Sequence, residues 1–257
     1  MLIDILKILF CAPFLLYSCY SDIKTRRVSD KVWYIMLGGG AFFILYEFAD
    51  YGLFYLFRLF ISAVLMYLFL EIYSRLSTFF NIRMMGGADA KLLLVLSIFF
   101  PIYPSFNIES HIFPLNLPFN FFAFSVLNDA VTVAIIIPIG FAAYNLIKLG
   151  FRVDKAAYIF MGYKTKISEL SDKHVWIIQD FEDDNGKIKS FYKRGGIEID
   201  EKSISKLKNL LKKGLIKDEV WITPKLPFMI PLTLGFFLAI FYGDLIFEII
   251  KNLLLHK

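Results

Sequence analysis

Cysteine and histidine are scarce in this sequence. Its 257 residues include two cysteines and three histidines. Cys11 and Cys19 both lie in the first apolar stretch, and their spacing fits no metal or redox motif, so we interpret them as packing residues of a membrane helix. The histidines, His111, His174 and His256, have no partners at ligand spacing. The sequence therefore predicts neither a metal site nor a cofactor.

Polar residues are also under-represented. The hydrophobic set makes up 58% of the chain and the mean hydropathy is +0.61, whereas a soluble domain averages about 45–50% apolar residues. The balance predicts an integral membrane protein. The first residues lack a positively charged segment followed by a small-residue cleavage site, so we expect a retained helix there. The net charge of +5 does not indicate a nucleic-acid partner, because the basic residues cluster in a few loops and one insertion.

Apolar stretches of about the length that crosses a bilayer recur along the chain. The second stretch contains the run Gly38-Gly39-Gly40, which permits close helix approach. The predicted fold class is an all-α polytopic membrane protein with about six transmembrane helices, at about residues 2–20, 32–49, 53–73, 90–103, 122–149 and 227–250.

The distribution of Lys and Arg among the short loops predicts the orientation in the membrane. The loops at 21–31 and 74–86 carry six basic residues, whereas the loops at 50–52 and 104–118 carry none. We therefore expect the first two loops to be cytoplasmic and both termini to lie outside. Lys7, Lys251 and Lys257 are then on the unexpected side, near helix ends from which their long side chains can reach the interface.

Residues 150–224 change character and become charged and Lys-rich. Strand-like stretches at 174–181 and 188–192 flank a hairpin turn signal at 183–186, and residues 220–222 add a third strand. The apolar residues between 204 and 211 share one helical face, with Gly214 as a stop. We predict three parts: a membrane domain (1–149), a small cytoplasmic α/β insertion (150–224), and the last helix with its tail (225–257). The Lys-rich face either contacts anionic membrane lipid or is simply solvated.

Two acidic residues lie at equivalent depths in this topology. Asp22 follows the first predicted helix and Asp89 precedes the fourth, both on the cytoplasmic side. Two close carboxyls share a proton, and one can then activate water while the other protonates the substrate. Gly86-Gly87 lets the backbone before Asp89 approach a substrate strand. The alternative interpretation is that both aspartates only cap helix ends.

Two motifs in this chain resemble those of a known family. Residues 22–30 read Asp-Ile-Lys-Thr-Arg-Arg-Val-Ser-Asp and resemble the first aspartate motif of type IV prepilin peptidases and archaeal preflagellin peptidases. Residues 86–91 read Gly-Gly-Ala-Asp-Ala-Lys and resemble the Gly-x-Gly-Asp element of the same aspartic proteases. The last apolar segment also looks like the family's last helix, whereas the insertion is poorly matched.

The resemblance implies a membrane aspartic endopeptidase with Asp22 and Asp89 as its catalytic residues, without saying which is the base. Ala88 replaces the second glycine of the motif, as in the archaeal branch, and Val28-Ser29 replaces the more usual Ile-Pro. The paired Cys-x-x-Cys elements of the bacterial methyltransferase segment are absent from the sequence, so the resemblance implies cleavage without N-methylation.

Other charged residues near the motifs have less specific interpretations. Arg26, Arg27 and Asp30 either position the substrate or only contribute loop charge, and Lys91 is interpreted as an interfacial anchor on a different face from Asp89. Asp129 is expected to cap the outer start of the fifth helix.

The implied partners are preflagellin or type IV prepilin-like precursors, of which we favour preflagellin, together with membrane lipid and no nucleic acid. The expected location is the cytoplasmic membrane, with the site facing the cytoplasm. Two other classes stay open: a small proton- or cation-coupled transporter, and a non-catalytic anchor of a secretion or motility assembly. Acids at helix ends and the lack of a convincing repeat argue against the transporter.

Overall fold

Long apolar helices form most of the first half of the chain. The computed structural model describes residues 2–80, 85–108, 111–116, 121–150, 156–170, 175–184, 187–224 and 227–255. Its helices are α1 (Leu2–Thr25), α2 (Asp30–Tyr51), α3 (Leu53–Phe79), α4 (Gly87–Phe99), α5 (Phe122–Leu149), α6 (Ala156–Met161), α7 (Glu201–Lys212), α8 (Met229–Phe241) and α9 (Leu245–Leu255). Its strands are β1 (Phe106–Ile108), β2 (His111–Phe113), β3 (Tyr163–Thr165), β4 (Val175–Asp184), β5 (Lys187–Glu198) and β6 (Val220–Pro224).

Four of these helices, α1, α2, α3 and α5, are long and apolar enough to cross a membrane. The α8 and α9 helices qualify together, but they are bent by 57° at a short break, which gives up to five spans in the described part of the chain. The α4 helix has 13 residues and is therefore only about 20 Å long. Large apolar side chains on α1, α2, α3 and α5 are exposed, as expected of surfaces that contact lipid.

The chain divides into two compact units. The first comprises Met1–Ala134 and Pro227–Lys257, and the second comprises Ile135–Leu226. The core of the first unit is built on α1, α2, α3, α4, α5 and α8. The predicted close approach at the glycine run of α2 is confirmed, because a Cβ at Gly39 or Gly40 would collide with the rings of Phe10 or Phe99.

The second unit contains the α/β structure predicted for the insertion. Its four antiparallel strands are ordered β3-β6-β4-β5, and α7 covers a small apolar core that includes Ile177, Leu207 and Ile222. The predicted hairpin is confirmed by the pairing of β4 with β5, although Asn185 and Gly186 of its turn and His174 lie outside the described residues. The short strand β3 was not predicted; it is three residues long and becomes a strand only by pairing with β6.

The last predicted helix, residues 227–250, is not continuous. It breaks between Phe241 and Leu245, where Gly243 has a φ of 106°. Asp129 is fully buried in α5 and accepts a hydrogen bond from the Leu245 N–H at 2.8 Å, so it caps α9 and not, as predicted, the start of its own helix. Asp244 accepts from the Phe247 N–H at 2.9 Å in the same way.

The prediction that Lys7 reaches out to the interface is wrong. Lys7 is 1% exposed, and its Nζ forms an ion pair with Glu47 Oε2 of α2 at 2.7 Å. The ammonium also lies over the rings of Phe99 and Phe100, 5.4 and 4.8 Å from their centroids. A buried acid on the neighbouring helix and two aromatic faces thus replace water around this charge.

Candidate active site

Asp22 lies on a helix rather than in the predicted loop. The α1 helix continues to Thr25, and Arg26 ends it with a left-handed φ of 57°. Three hydroxyl contacts hold this end: Ser21 Oγ to Arg27 O at 2.7 Å, and Thr25 Oγ1 to Ser21 O and to Arg27 O at 2.9 Å each. Because these hydroxyls tie the last turn of α1 to Arg27 just beyond it, the helix continues through the half-buried Asp22.

Asp89 lies in the first turn of α4, after the Gly86-Gly87 pair. Its Oδ2 accepts a hydrogen bond from the Gly86 N–H at 2.7 Å, so the expected capping role is real. The side chain is nevertheless 5% exposed. Burial raises the pKa of Asp89 to about 6; the Gly86 hydrogen bond opposes this shift, and the charge of Asp22 adds to it.

The two motif segments meet at one cavity of about 370 Å³. All of its ten lining residues belong to the two motif segments, 22–30 and 86–91. The lining consists of Asp22, Arg26, Arg27, Val28, Asp30, Gly86, Gly87, Ala88, Asp89 and Lys91. The end of α1 and the start of α4 are thus adjacent in space although 67 positions separate the two aspartates in sequence.

Lys91 pairs with Asp30 and does not act as an isolated anchor on another face. Its Nζ lies 2.6 Å from Asp30 Oδ1, and both side chains are about half exposed. Since Asp30 begins α2, the pair connects that helix to the start of α4 beside the two aspartates. An exposed ion pair of this kind contributes little to stability, roughly 0–1 kcal/mol. Because so little is lost when the pair separates, either charge can pair with a bound polypeptide instead.

A third helix reaches the last turns of α1, and sequence reasoning missed it. The contact joins the first turn of α8, at Met229, to the turn of α1 that precedes Asp22. Cys19 Sγ, one turn before Asp22 on α1, lies 3.2 Å from Met229 O and 3.0 Å from Thr233 Oγ1. Nothing in the sequence indicates this contact, because it joins segments about 210 positions apart.

A larger cavity, of about 540 Å³, lies within the second unit between β4, β5 and α7. Its polar lining includes the Asp180–Lys206 ion pair, with a separation of 2.7 Å. The smaller cavity is the candidate active site because carboxyls from the two motif segments line it together. Among the described residues, no group of three or more His, Cys, Asp or Glu side chains could hold a metal ion.

Comparison with known protein families decides what kind of protein carries this cavity. The family model described as the type IV leader peptidase family matches residues 9–139, about half of the chain, and includes both aspartates. The chain belongs to the type IV leader peptidase family. A second family model, the archaeal peptidase A24 C-terminus type II, matches residues 154–245 of this leader peptidase.

A named relative agrees with this assignment. The leader peptidase is 26% identical over 244 residues to a preflagellin peptidase of Methanocaldococcus jannaschii, an alignment that covers 91% of this chain and 93% of the relative. Together with its apolar helices, these similarities make it a multi-pass membrane peptidase that cleaves leader peptides.

Proposed function

We propose that this leader peptidase cleaves preflagellin or related type IV prepilin-like precursors by an aspartic mechanism in which Asp22 and Asp89 act together. One observation carries the proposal: carboxyls from α1 and α4 line one cavity, in which burial raises the pKa of Asp89 and the charge of Asp22 adds to that shift. With one carboxyl protonated and the other ionised, the pair has the protonation state that peptide hydrolysis by water requires.

The environments of the two carboxyls suggest different roles. Asp89 is the more buried and is the acid, because its pKa of about 6 favours the protonated form. Asp22 is more exposed and lies one turn before Arg26, so it is the base. Burial disfavours the ionised form of a carboxyl, and it does so less at Asp22, which has more contact with solvent and a cation nearby.

The reaction then proceeds in two steps. The Asp22 carboxylate takes a proton from water as the water oxygen attacks the scissile carbonyl carbon, and Asp89 donates its proton to the carbonyl oxygen. In the second step Asp22 protonates the leaving nitrogen, the C–N bond breaks, and Asp89 takes back a proton from the intermediate's hydroxyl. Both carboxyls return to their starting states.

The remaining lining residues bind the substrate chain. Gly87 has no neighbouring atom within 4 Å of the position of a Cβ, so an extended substrate backbone can approach there. Arg26 Nε is buried and has no hydrogen-bond partner within the described residues, and it donates to a substrate carbonyl oxygen. Arg27, Lys91 and Asp30 surround the same opening and contact polar groups of the precursor.

The proposed topology has six spans, with α4 and the bent α8–α9 pair counted as one each. The Lys and Arg residues of segments 21–31 and 74–86 favour a cytoplasmic position for the cavity, and also for the insertion at 150–224, which separates the membrane parts 1–149 and 225–257 in the sequence. A precursor whose apolar helix is inserted in the bilayer presents its leader junction at this rim, so that attack is effectively intramolecular. The Lys-rich insertion contacts anionic lipid, and no nucleic acid takes part.

A cleavage assay tests the proposal. Membranes containing the protein are mixed with a preflagellin or a prepilin, and the shortened product is identified by gel and mass. Asp22→Asn and Asp89→Asn should each abolish cutting, while Asp50→Asn, which changes an exposed acid at the other end of α2, should cut normally. Normal cutting by either active-site variant contradicts the assigned role of that residue.

A further inference from the structure

The backbone that leads into Asp89 has little stiffness of its own. Gly86 and Gly87 come directly before Ala88 and Asp89, and glycine has more conformational freedom than any other residue. A stiffer residue at position 86 would crowd the catalytic carboxyl, because a Cβ there would lie 3.3 Å from Asp89 Oδ2. Any further restraint on this segment has to come from another element of the fold.

Tyr73 of α3 supplies such a restraint. The Met85 N–H donates a hydrogen bond to the Tyr73 hydroxyl oxygen at 3.0 Å. The Met85 side chain also packs against the core of the first unit, to which α3 contributes Leu70 and α4 contributes Leu92. Met85 is therefore held through its backbone and through its side chain, immediately before the two glycines.

This restraint acts next to the group that binds Asp89. Gly86 follows Met85 directly, and its own N–H donates to Asp89 Oδ2 at 2.7 Å. In the proposed reaction Asp89 is the acid, and an oxygen that accepts an N–H is not the one that carries the acidic proton. The Gly86 N–H therefore assigns that proton to Asp89 Oδ1, which sets the direction in which it is donated.

We propose that Tyr73 is a positioning residue for the cleavage reaction: its hydroxyl holds the Met85 N–H and thereby keeps the Gly86 N–H on the Asp89 carboxyl. This inference rests on the proposed function, in which Asp89 is the acid. Tyr73 is not one of the described residues that line the cavity, so it acts on the reaction through Asp89 and not by touching the substrate.

The first experiment measures kcat and KM for precursor cleavage, with the rate expressed per folded enzyme. Tyr73→Phe keeps the ring and removes only the hydroxyl, so we expect a roughly two- to tenfold fall in kcat, the size of one lost hydrogen bond, with KM unchanged. The matched control is Tyr67→Phe, which removes a hydroxyl from an exposed tyrosine on the same helix and should resemble wild type. An unchanged kcat, or a rise in KM alone, would overturn the positioning role.

A second experiment needs no cleavage. Amide hydrogen exchange is measured at single residues by fragmentation mass spectrometry of the whole protein in detergent. In Tyr73→Phe the Met85 and Gly86 amides should both exchange faster than in wild type or Tyr67→Phe, because loosening the first weakens the hydrogen bond of the second.

The two amides separate a positioning role from a local contact. Faster exchange at Met85 alone would show that the restraint does not reach Asp89, and unchanged exchange at both would show that the hydroxyl restrains nothing; either result overturns the inference. Faster exchange at both amides in a protein that cuts no precursor would contradict the proposed function and leave the restraint on Asp89 standing.

Discussion

Replacing Asp89 by Asn should stabilise the protein at neutral pH. A carboxyl with a raised pKa in the folded state binds its proton more tightly there, so its contribution to stability is fully present below the unfolded value of 3.8 and is lost as the pH rises through about 6. The difference between these two pKa values corresponds to about 3 kcal/mol in the free energy of unfolding, and the wild type has lost this contribution by pH 8. Asn carries no charge at any pH, and its amide oxygen can still accept the Gly86 N–H.

Thermal unfolding in detergent, followed by tryptophan fluorescence between pH 4 and pH 8, measures this effect. At about 2–4 °C per kcal/mol for a chain near this size, Asp89→Asn should melt about 6–12 °C above wild type at pH 8 and close to it at pH 4. Asp50→Asn should show no such pH dependence. A destabilised Asp89→Asn protein at pH 8, or a difference that does not change with pH, would refute the reasoning from burial.

Three further predictions concern other parts of the molecule. Lys7→Met should destabilise the protein by about 3–5 kcal/mol because Glu47 is left buried without its cationic partner, and Lys7→Met with Glu47→Met should recover much of the loss; equal melting of the single variant and wild type would contradict this. In the second unit, partial burial raises the pKa of Asp180, but the hydrogen bonds from Lys206 and the Phe181 N–H outweigh it and leave the pKa lowered. The ionised Asp180 carboxylate therefore stabilises the folded state above pH 3.8, and this stabilisation is lost as the pH falls further. Lys206→Met should lower the free energy of unfolding by about 0.5–1 kcal/mol at pH 7 and by little at pH 2, measured by melting. Chelators should leave cleavage unchanged, and loss of activity that added metal restores would disprove the predicted lack of a metal.

Local patterns predicted much of the candidate site. The Asp22 and Asp89 motifs each lie at the end of a strongly apolar stretch, and the segments that carry them are rich in Lys and Arg, so hydropathy and charge predict that both lie on one side of a membrane. Their meeting in one cavity was inferred from the resemblance to aspartic leader peptidases, and the structure bears out the adjacency. The hairpin of the second unit was predictable because its alternation and turn residues are local.

Interactions between distant segments were not predictable in this way. Hydropathy marks Lys7 as a charge near a helix end, but only the packing of α1 against α2 brings Glu47 to it. The side-chain hydroxyls that extend α1 past Ser21 look, in the sequence, like an ordinary polar loop. The break between α8 and α9 depends on caps that Asp129 supplies from α5, more than 100 positions away.

The sequence alone determined the membrane character of the protein, its main helices, the sheet-bearing insertion and the two aspartates, because each of these depends on residues close together in the chain. The tertiary structure decided which groups surround the aspartates. Burial of Asp89 and the contacts that Met229 and Thr233 make with Cys19, one turn before Asp22, depend on how α1, α4 and α8 pack. Packing sets the solvation and hydrogen bonding that control where a proton resides.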